Sequence, residues 1–442
     1  MDGQGVGQGR LSAFFKCSDF GTDLKTELIA GFTTFATMAY IIAVVPGMLS
    51  SGGVPKGEAF TVTVVMTVLA SLVMGLYTNR PFMLGPGLGS VAIFSFTLLK
   101  GGVPLSIASG IVFISGVIFI LVSVFGVREF IVTVIPPSVK VAVGAGIGLF
   151  IALLGFKHAG IIVANPGKNV LVFGDLTSAK ALLSILGFFL VLFFTARKVK
   201  GGIIFAVLLT TLAGIPFGVT RLPGSLVSMP SGIDSMMFNL DITGALSPKY
   251  LPYLLAFFIP DFFSTLGTLL AVGAQAGYLD EKGDMPGIDK CFYVDSGATA
   301  FGSFFSCPVL TTYLESSAGV EAGGRTGLTT VVASFFFLLT LFFSPIALMI
   351  PSCATSPVLM YIGISMLGSM RKIDYSDMTE YIPAFVCVTV TIFSFNAGNG
   401  IAAALVVYAF LKLVTGAARD AHWSVYAIAL LMIYYFRIIA TH

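Results

Sequence analysis

The chain has 442 residues, 56% hydrophobic and 10% charged, with a mean hydropathy of +0.98. A soluble domain carries about 25% charged residues. These charges are too few to cover a water-facing surface, which excludes a cytosolic enzyme and points to a multi-spanning membrane protein. The net charge of +3, from 24 basic and 21 acidic side chains, leaves no basic stripe and excludes nucleic acid as a partner. The 50 glycines read as close helix packing and interrupted helices. Cys17, Cys291, Cys307, Cys353 and Cys387 show no CxxC spacing, and His158, His422 and His442 lie far apart. Neither set suggests a disulfide framework or a metal site, and no cofactor is expected. Residues 1–23 are polar and Gly-rich without a cleavable signal, and are expected to form a cytoplasmic tail.

In chain order, runs of about 20 apolar residues, enough to cross a bilayer as helix, are predicted near 26–45, 58–77, 82–99, 104–125, 138–156, 181–197, 202–219, 251–275, 293–306, 308–322, 326–345, 354–370, 382–396 and 399–416. A further apolar stretch, 423–440, either spans or lies along the surface. With a cytoplasmic N-terminus and fourteen alternating spans, 16 Lys and Arg fall on the cytoplasmic side and 7 outside. That bias has the sense expected of short cytoplasmic loops, and predicts a multi-pass protein of the cell membrane.

Two of these spans are short and interrupted: Met83-Leu84-Gly85-Pro86-Gly87-Leu88-Gly89-Ser90, and Ser306-Cys307-Pro308-Val309-Leu310-Thr311-Thr312-Tyr313-Leu314-Glu315-Ser316. Pro86 and Pro308 are 222 positions apart, and half the chain is 221. They fall in the third and tenth spans, the same place in each run of seven, and an odd repeat forces the second copy to be inverted. A matched pair of broken spans marks a transporter's binding site, because non-helical backbone at membrane depth survives only where protein or a watery cavity satisfies it. The expectation is that both unwound segments aim free N–H groups and helix N-termini at a shared pocket. The competing reading is a pair of ordinary proline kinks.

Nearly all 21 carboxylates fall in loops or at span ends. Asp261, in Ile259-Pro260-Asp261-Phe262-Phe263-Ser264-Thr265, and Glu315 do not; Asp295 and Glu321 lie near span ends and are weaker candidates. An ionised carboxylate in hydrocarbon costs at least roughly 2.5–3.5 kcal/mol, so each is a functional candidate, able to take up and release a proton. The alternative for each is a structural hydrogen bond to a neighbouring interrupted helix. A buried carboxylate repels anions and suits a flat, neutral ligand with adjacent N–H donors, which its two oxygens accept as a pair. That chemistry fits a nucleobase or a similar heterocycle, although composition alone does not select it. Gly85-x-Gly87-x-Gly89 and Gly144-x-Gly146-x-Gly148 lack a following Lys and read as helix packing rather than phosphate loops. Arg325 reads as a cytoplasmic anchor, and no nucleophile–base pair argues for an enzyme.

The stretches Glu27-Leu28-Ile29-Ala30-Gly31-Phe32-Thr33-Thr34-Phe35-Ala36-Thr37-Met38-Ala39-Tyr40, Met74-Gly75-Leu76-Tyr77, Gly146-Ile147-Gly148-Leu149-Phe150-Ile151-Ala152, the 259–268 segment, and Thr311-Thr312-Tyr313-Leu314-Glu315-Ser316 with its Ala-Gly-Gly-Arg-Thr-Gly tail resemble the nucleobase–cation symporter family, in its adenine/guanine/hypoxanthine permease branch. The resemblance implies an all-α polytopic protein with a 7+7 inverted repeat. Its core domain would comprise residues 24–125 and 250–345, and its gate domain residues 126–220 and 354–416. The tail 1–23 and the segment 417–442 would flank them. It also implies a homodimer contact through the gate. The substrate would lie between spans 3 and 10, held by Glu315, the main chain of Leu314, Ser316, Asp261, Ser264, Gly89, Ser90, Val91 and Thr37. Glu315 and Asp261 would couple a proton. Where relatives read Asp-Phe-Phe-Asp-Thr this chain has Ser264 at the second Asp, and Val91 and Ile93 replace the Asn and Tyr of their Gly-Leu-Asn-Ala-Tyr-Phe.

The expected function is therefore a proton-coupled purine permease working by alternating access. The alternatives are a carrier or facilitator for another small heterocycle or solute without proton coupling, and an anion transporter of the same repeat, which Glu315 disfavours.

Overall fold

The computed structural model describes residues 10–125, 136–165, 170–280, 285–394 and 397–440. Its longer helices, in chain order with the strands, are α1 (Leu24–Met38), α2 (Ile41–Ser51), α3 (Lys56–Thr78), β1 (Leu84–Pro86), α4 (Leu88–Ala92), α5 (Leu105–Val124), α6 (Pro137–Ala159), β2 (Ile162–Asn165), β3 (Val170–Phe173), α7 (Ala179–Ala196), α8 (Gly202–Ala213), α9 (Leu251–Ala276), α10 (Ile288–Ser303), β4 (Leu310–Thr312), α11 (Ser316–Glu321), α12 (Gly327–Thr340), α13 (Ser344–Leu348), α14 (Ser352–Leu367), α15 (Met378–Ser394), α16 (Ala397–Val414) and α17 (Trp423–Ala440). A π-helical turn, Ile93–Leu99, continues α4.

Seven of the described helical runs are long and apolar enough to cross a bilayer, and six shorter apolar helices accompany them. The protein is thus a helical, multi-pass membrane protein. The apolar run predicted at 26–45 extends to Ser51, with a break at Ala39 and Tyr40. The segment 423–440 is a helix packed along α16, with Met432 buried against Ala402.

Packing follows small residues. Gly75 of α3 and Gly327 of α12 face each other: a Cβ on Gly327 would sit 1.9 Å from the Gly75 carbonyl oxygen. Gly148 of α6 and Gly363 of α14 repeat the arrangement, a Cβ on Gly363 falling 2.4 Å from the Gly148 carbonyl. Such close backbone approach replaces the hydrophobic drive that is missing between helices in lipid. Thus α12 seats on α1 and α3, α10 on α3 and α5, and α9 on α5. Separately, α6 packs on α14 and α15, α15 on α16, and α7 on α8 and α14. The helix-packing expectation suits Gly146 and Gly148. It fails for Gly85 and Gly87, which belong to an extended segment and the turn after it.

Glu27, read only as part of a motif, is fully buried and closes the start of α12. Its carboxylate accepts the amides of Arg325 (2.8 Å), Thr326 (3.1 Å) and Thr329 (3.0 Å), and the Thr329 hydroxyl. The first amides of a helix have no partner within it, and a carboxylate also complements the positive end of the dipole. Asn79 adds its Oδ1 to the Gly327 amide at 3.0 Å. Arg325 also fastens the turn after α11: its Nη1 donates to Val320 O (2.6 Å) and Gly324 O (2.8 Å). Near the α15–α16 hairpin the buried Lys412 faces Glu380 at 3.6 Å and Asp377 at 3.9 Å. The Asp377 carboxylate accepts the hydroxyl and amide of Thr379, both at 2.8 Å, and these bonds, with Lys412, hold its pKa below the usual carboxylate range.

Glu27→Ala orphans several buried donors at once and is expected to cost roughly 2–4 kcal/mol of unfolding free energy, read as a lowered thermal midpoint in detergent. Asp377 has its pKa depressed by folding. Its contribution is complete above the pKa of an unfolded aspartate and is lost as pH falls through the folded value. The stability gap between wild type and Asp377→Asn should therefore close on acidification and stay constant at neutral pH.

Candidate functional site

The chain crosses itself where β1 meets β4. The strands pair antiparallel, with Leu84 opposite Thr312, Gly85 opposite Thr311 and Pro86 opposite Leu310. Ladder bonds run from Tyr313 N to Met83 O and from Gly87 N to Val309 O, both 2.9 Å. Because bonded and non-bonded pairs alternate in such a ladder, Pro86 falls in a non-bonded pair, where its missing N–H costs nothing. The outward-facing backbone groups are met by hydroxyls. Ser71 of α3 accepts from Leu84 N and donates to Leu84 O, each at 3.0 Å. Thr299 of α10 does the same for Leu310, at 3.1 and 2.9 Å. Ser316 Oγ accepts Met83 N at 3.0 Å, and Tyr313 donates its hydroxyl to Pro86 O at 2.5 Å.

The backbone groups just past each strand differ in how they are met. After β4, the amides of Ser316, Ser317 and Ala318 turn back onto the carbonyls of Tyr313, Leu314 and Glu315, so the Leu314 carbonyl already has a donor, and the Leu314 side chain is exposed. After β1, the first amides of α4, on Leu88, Gly89 and Ser90, have no intrahelical partner by geometry, and Val91 donates to Gly87 O. Gly89 faces α6: a Cβ there would lie 3.0 Å from Ile147. Ser90 and Val91 are buried.

Glu315 stands just past the crossing, half-buried. Its Oε1 accepts the hydroxyl of Tyr40 at 2.6 Å, from the break between α1 and α2. Tyr361 of α14 lies within electrostatic range of the same hydroxyl. The carboxylate thus has one oxygen oriented by a phenol. Of the other sequence candidates, Ser316 is committed to Met83, and Thr37 donates its hydroxyl to Thr33 O within α1 at 2.7 Å. Ser264 is exposed on α9, and the next residue, Thr265, is the buried one.

Asp261 is buried on α9 and lies behind the crossing. It interacts electrostatically with Asp295, which sits fully buried on α10 rather than near a helix end. Thr265 donates its single proton to Asp295 Oδ2 at 2.7 Å and so must accept from Thr311 of β4 across their 3.0 Å contact whenever that pair bonds. Asp261 Oδ1 and Asp295 Oδ1 are buried without a hydrogen-bond partner. Sequence reasoning missed Tyr40, Ser71, Thr265 and Thr299 and undervalued Asp295; Tyr40 carried a signal, ending the span 1 motif.

Tyr313→Phe would strand the buried Pro86 carbonyl and is expected to cost about 1–3 kcal/mol of stability. Tyr40→Phe should cost less, since Glu315 is only half-buried and water can replace the phenol. Thermal unfolding of the two variants side by side checks the ranking.

Residues 25–415 match the model of the Xan_ur_permease family, described as "Permease family". The chain is 38% identical to the adenine permease AdeP of Escherichia coli over 97% of this chain and 96% of that one. It is 34% identical to the guanine/hypoxanthine permease PbuG of Bacillus subtilis over 96% and 99%. Among solved structures it is similar in fold to the transmembrane domain of the cyanobacterial bicarbonate transporter BicA, with a TM-score of 0.61 at 16% identity over 86% of this chain and 97% of that one. It is similar also to SLC26A9, with a TM-score of 0.61 at 13% identity over 92% and 70%. These matches cover almost the whole chain, and the protein belongs to this permease family.

Proposed function

We propose that the protein carries a nucleobase, a purine foremost, across the cell membrane by proton-coupled alternating access. The observation that carries this reading is the Glu315 carboxylate, held by Tyr40 beside the β1–β4 crossing. A carboxylate oriented in this way can accept a pair of adjacent N–H donors on a flat ring, and the unpaired amides at the start of α4 can donate to the ring's acceptors. The printed names of AdeP and PbuG, adenine and guanine/hypoxanthine permeases, agree with that chemistry. On this reading the chain has fourteen spans in two inverted sets of seven, with the N-terminus cytoplasmic. The core (24–125 and 250–345) moves against the gate (126–220 and 354–416), and the gate also supplies a homodimer contact. The site lies where α4 meets Ile147 of α6, so substrate binding and core–gate contact share one surface.

The coupling proton is assigned to Glu315 and to the Asp261–Asp295 pair. Thr265 and Thr311 join that pair to β4, so a change in its charge reaches the crossing through two hydroxyls. A second reading, facilitated diffusion without a coupled proton, is favoured by one observation. Ser264 places a neutral, exposed hydroxyl where the family resemblance implies an Asp.

Purified protein should show thermal stabilisation by purines above pyrimidines. Glu315→Gln exchanges a charge-assisted acceptor for a neutral one and should weaken purine binding by roughly 10- to 100-fold. In proteoliposomes, purine uptake should acidify the lumen. Asp295→Asn should retain binding while losing uptake against a gradient. Unchanged purine binding by Glu315→Gln would refute the site, and uptake indifferent to a pH gradient would select facilitated diffusion.

A further inference from the structure

A cavity of about 390 Å³, lined by neither Glu315 nor Tyr40, lies between α1–α2, α8 and α12–α13. Its walls include Phe32, Phe35, Ile204, Leu208, Phe343 and Ile346. The hydroxyls of Thr33 and Thr340, which also border it, are committed to Ile29 O and Phe337 O of their own helices. Among the lining side chains only Lys200 then offers a solute a polar group. Phe32 and Phe343 are about half exposed, so the groove is open to the outside of the protein. From Phe32 to Ile42 it runs about 15 Å at the helical rise, close to half of a roughly 30 Å hydrocarbon layer. Lys200 lines the groove, and Arg197 and Lys198 are exposed just before it. Among the described residues, neither Lys198 nor Lys200 takes part in an ion pair.

We propose that this groove binds one anionic phospholipid, its acyl chain lying along Phe32–Ile42 and its phosphate between Lys198 and Lys200. Charge complementarity selects the occupant: the groove is apolar apart from Lys200, and Lys198 is exposed two residues before it. Polybasic segments at a membrane surface favour acidic lipid in this way. Because the walls come from α1–α2 on one side and α8 on the other, a chain held there is gripped by both helix groups and opposes their sliding. A neutral lipid would have the groove without the charge.

The test uses the full chain in phosphatidylcholine vesicles. The sole tryptophan, Trp423, is replaced by Phe and a reporter is placed by Phe205→Trp. Quenching is compared for bromine-labelled phosphatidylglycerol and bromine-labelled phosphatidylcholine at equal mole fraction. The expected result is stronger quenching by phosphatidylglycerol. Lys198→Gln/Lys200→Gln should return it to the phosphatidylcholine level, a loss of roughly fivefold in occupancy per lysine. Equal quenching by both lipids, or no response to the double substitution, overturns the proposal. Native mass spectrometry of the chain with Trp423 and Phe205 intact gives an independent reading: retained phosphatidylglycerol supports it only if the Lys198→Gln/Lys200→Gln protein loses it. Purine-induced stabilisation should survive the double substitution, which separates failure here from failure at Glu315.

Discussion

Two three-residue strands hold the centre of this protein together, and their hydrogen bonds are the constraint on which the site depends. Inside a bilayer there is no water to satisfy an open N–H or carbonyl, and each unmet group costs several kcal/mol. Leu84–Pro86 and Leu310–Thr312 are extended and buried within the protein, equally shut off from water, and meet that cost by pairing with each other. The remaining outward-facing groups require Ser71 on one side and Thr299 on the other, each acting as donor and acceptor to one residue. A single hydroxyl in each place does what a further strand would do in a sheet.

The crossing then dictates what surrounds it. Glu315 is the first charged residue past β4, so its position follows from where the strand ends, and Tyr40 reaches it because α1 breaks at the same depth. Behind the strands, Thr311 and Thr265 lead to two buried carboxyl groups that no described cation approaches. Polar groups on both faces of the crossing are therefore coupled through β4 itself. A displacement of that strand must disturb Glu315 and Asp295 together.

Farther out, Glu27 has a different task from the other buried acids. Its carboxylate is saturated by the amides and hydroxyl that open α12, which leaves it nothing to offer a substrate. The residues bracketing that cap, Gly75 and Gly327, bring α3 and α12 into backbone contact. The two motif stretches containing Glu27 and Arg325, almost 300 residues apart, are thus one structural joint. Proximity in lipid explains their joint presence without any direct part in binding.

Composition and the spacing of apolar runs were enough to establish a helical membrane protein and to place most helices within a few residues, because the length of a helix in lipid is set by bilayer thickness. The Gly- and Pro-rich stretches around 85 and 308, and the isolated acid at 315, were legible for a related reason: such residues are costly in hydrocarbon and stand out against 56% apolar background. Partnership was not legible. Asp295 sits seven residues into a helix whose polar start resembled a loop. Ser71 and Thr299 are ordinary hydroxyls until a strand passes them, and Ser264 and Thr265 are neighbours in sequence that face opposite surroundings on α9. Sequence by itself determined which segments are apolar enough to cross a bilayer as helix and which residues in them are out of place, since both depend on one-body transfer energies. Only the tertiary structure decided which backbone group each hydroxyl serves and which acids remain unspent, since hydrogen bonds are pairwise and short-ranged and their partners lie as much as 302 positions away.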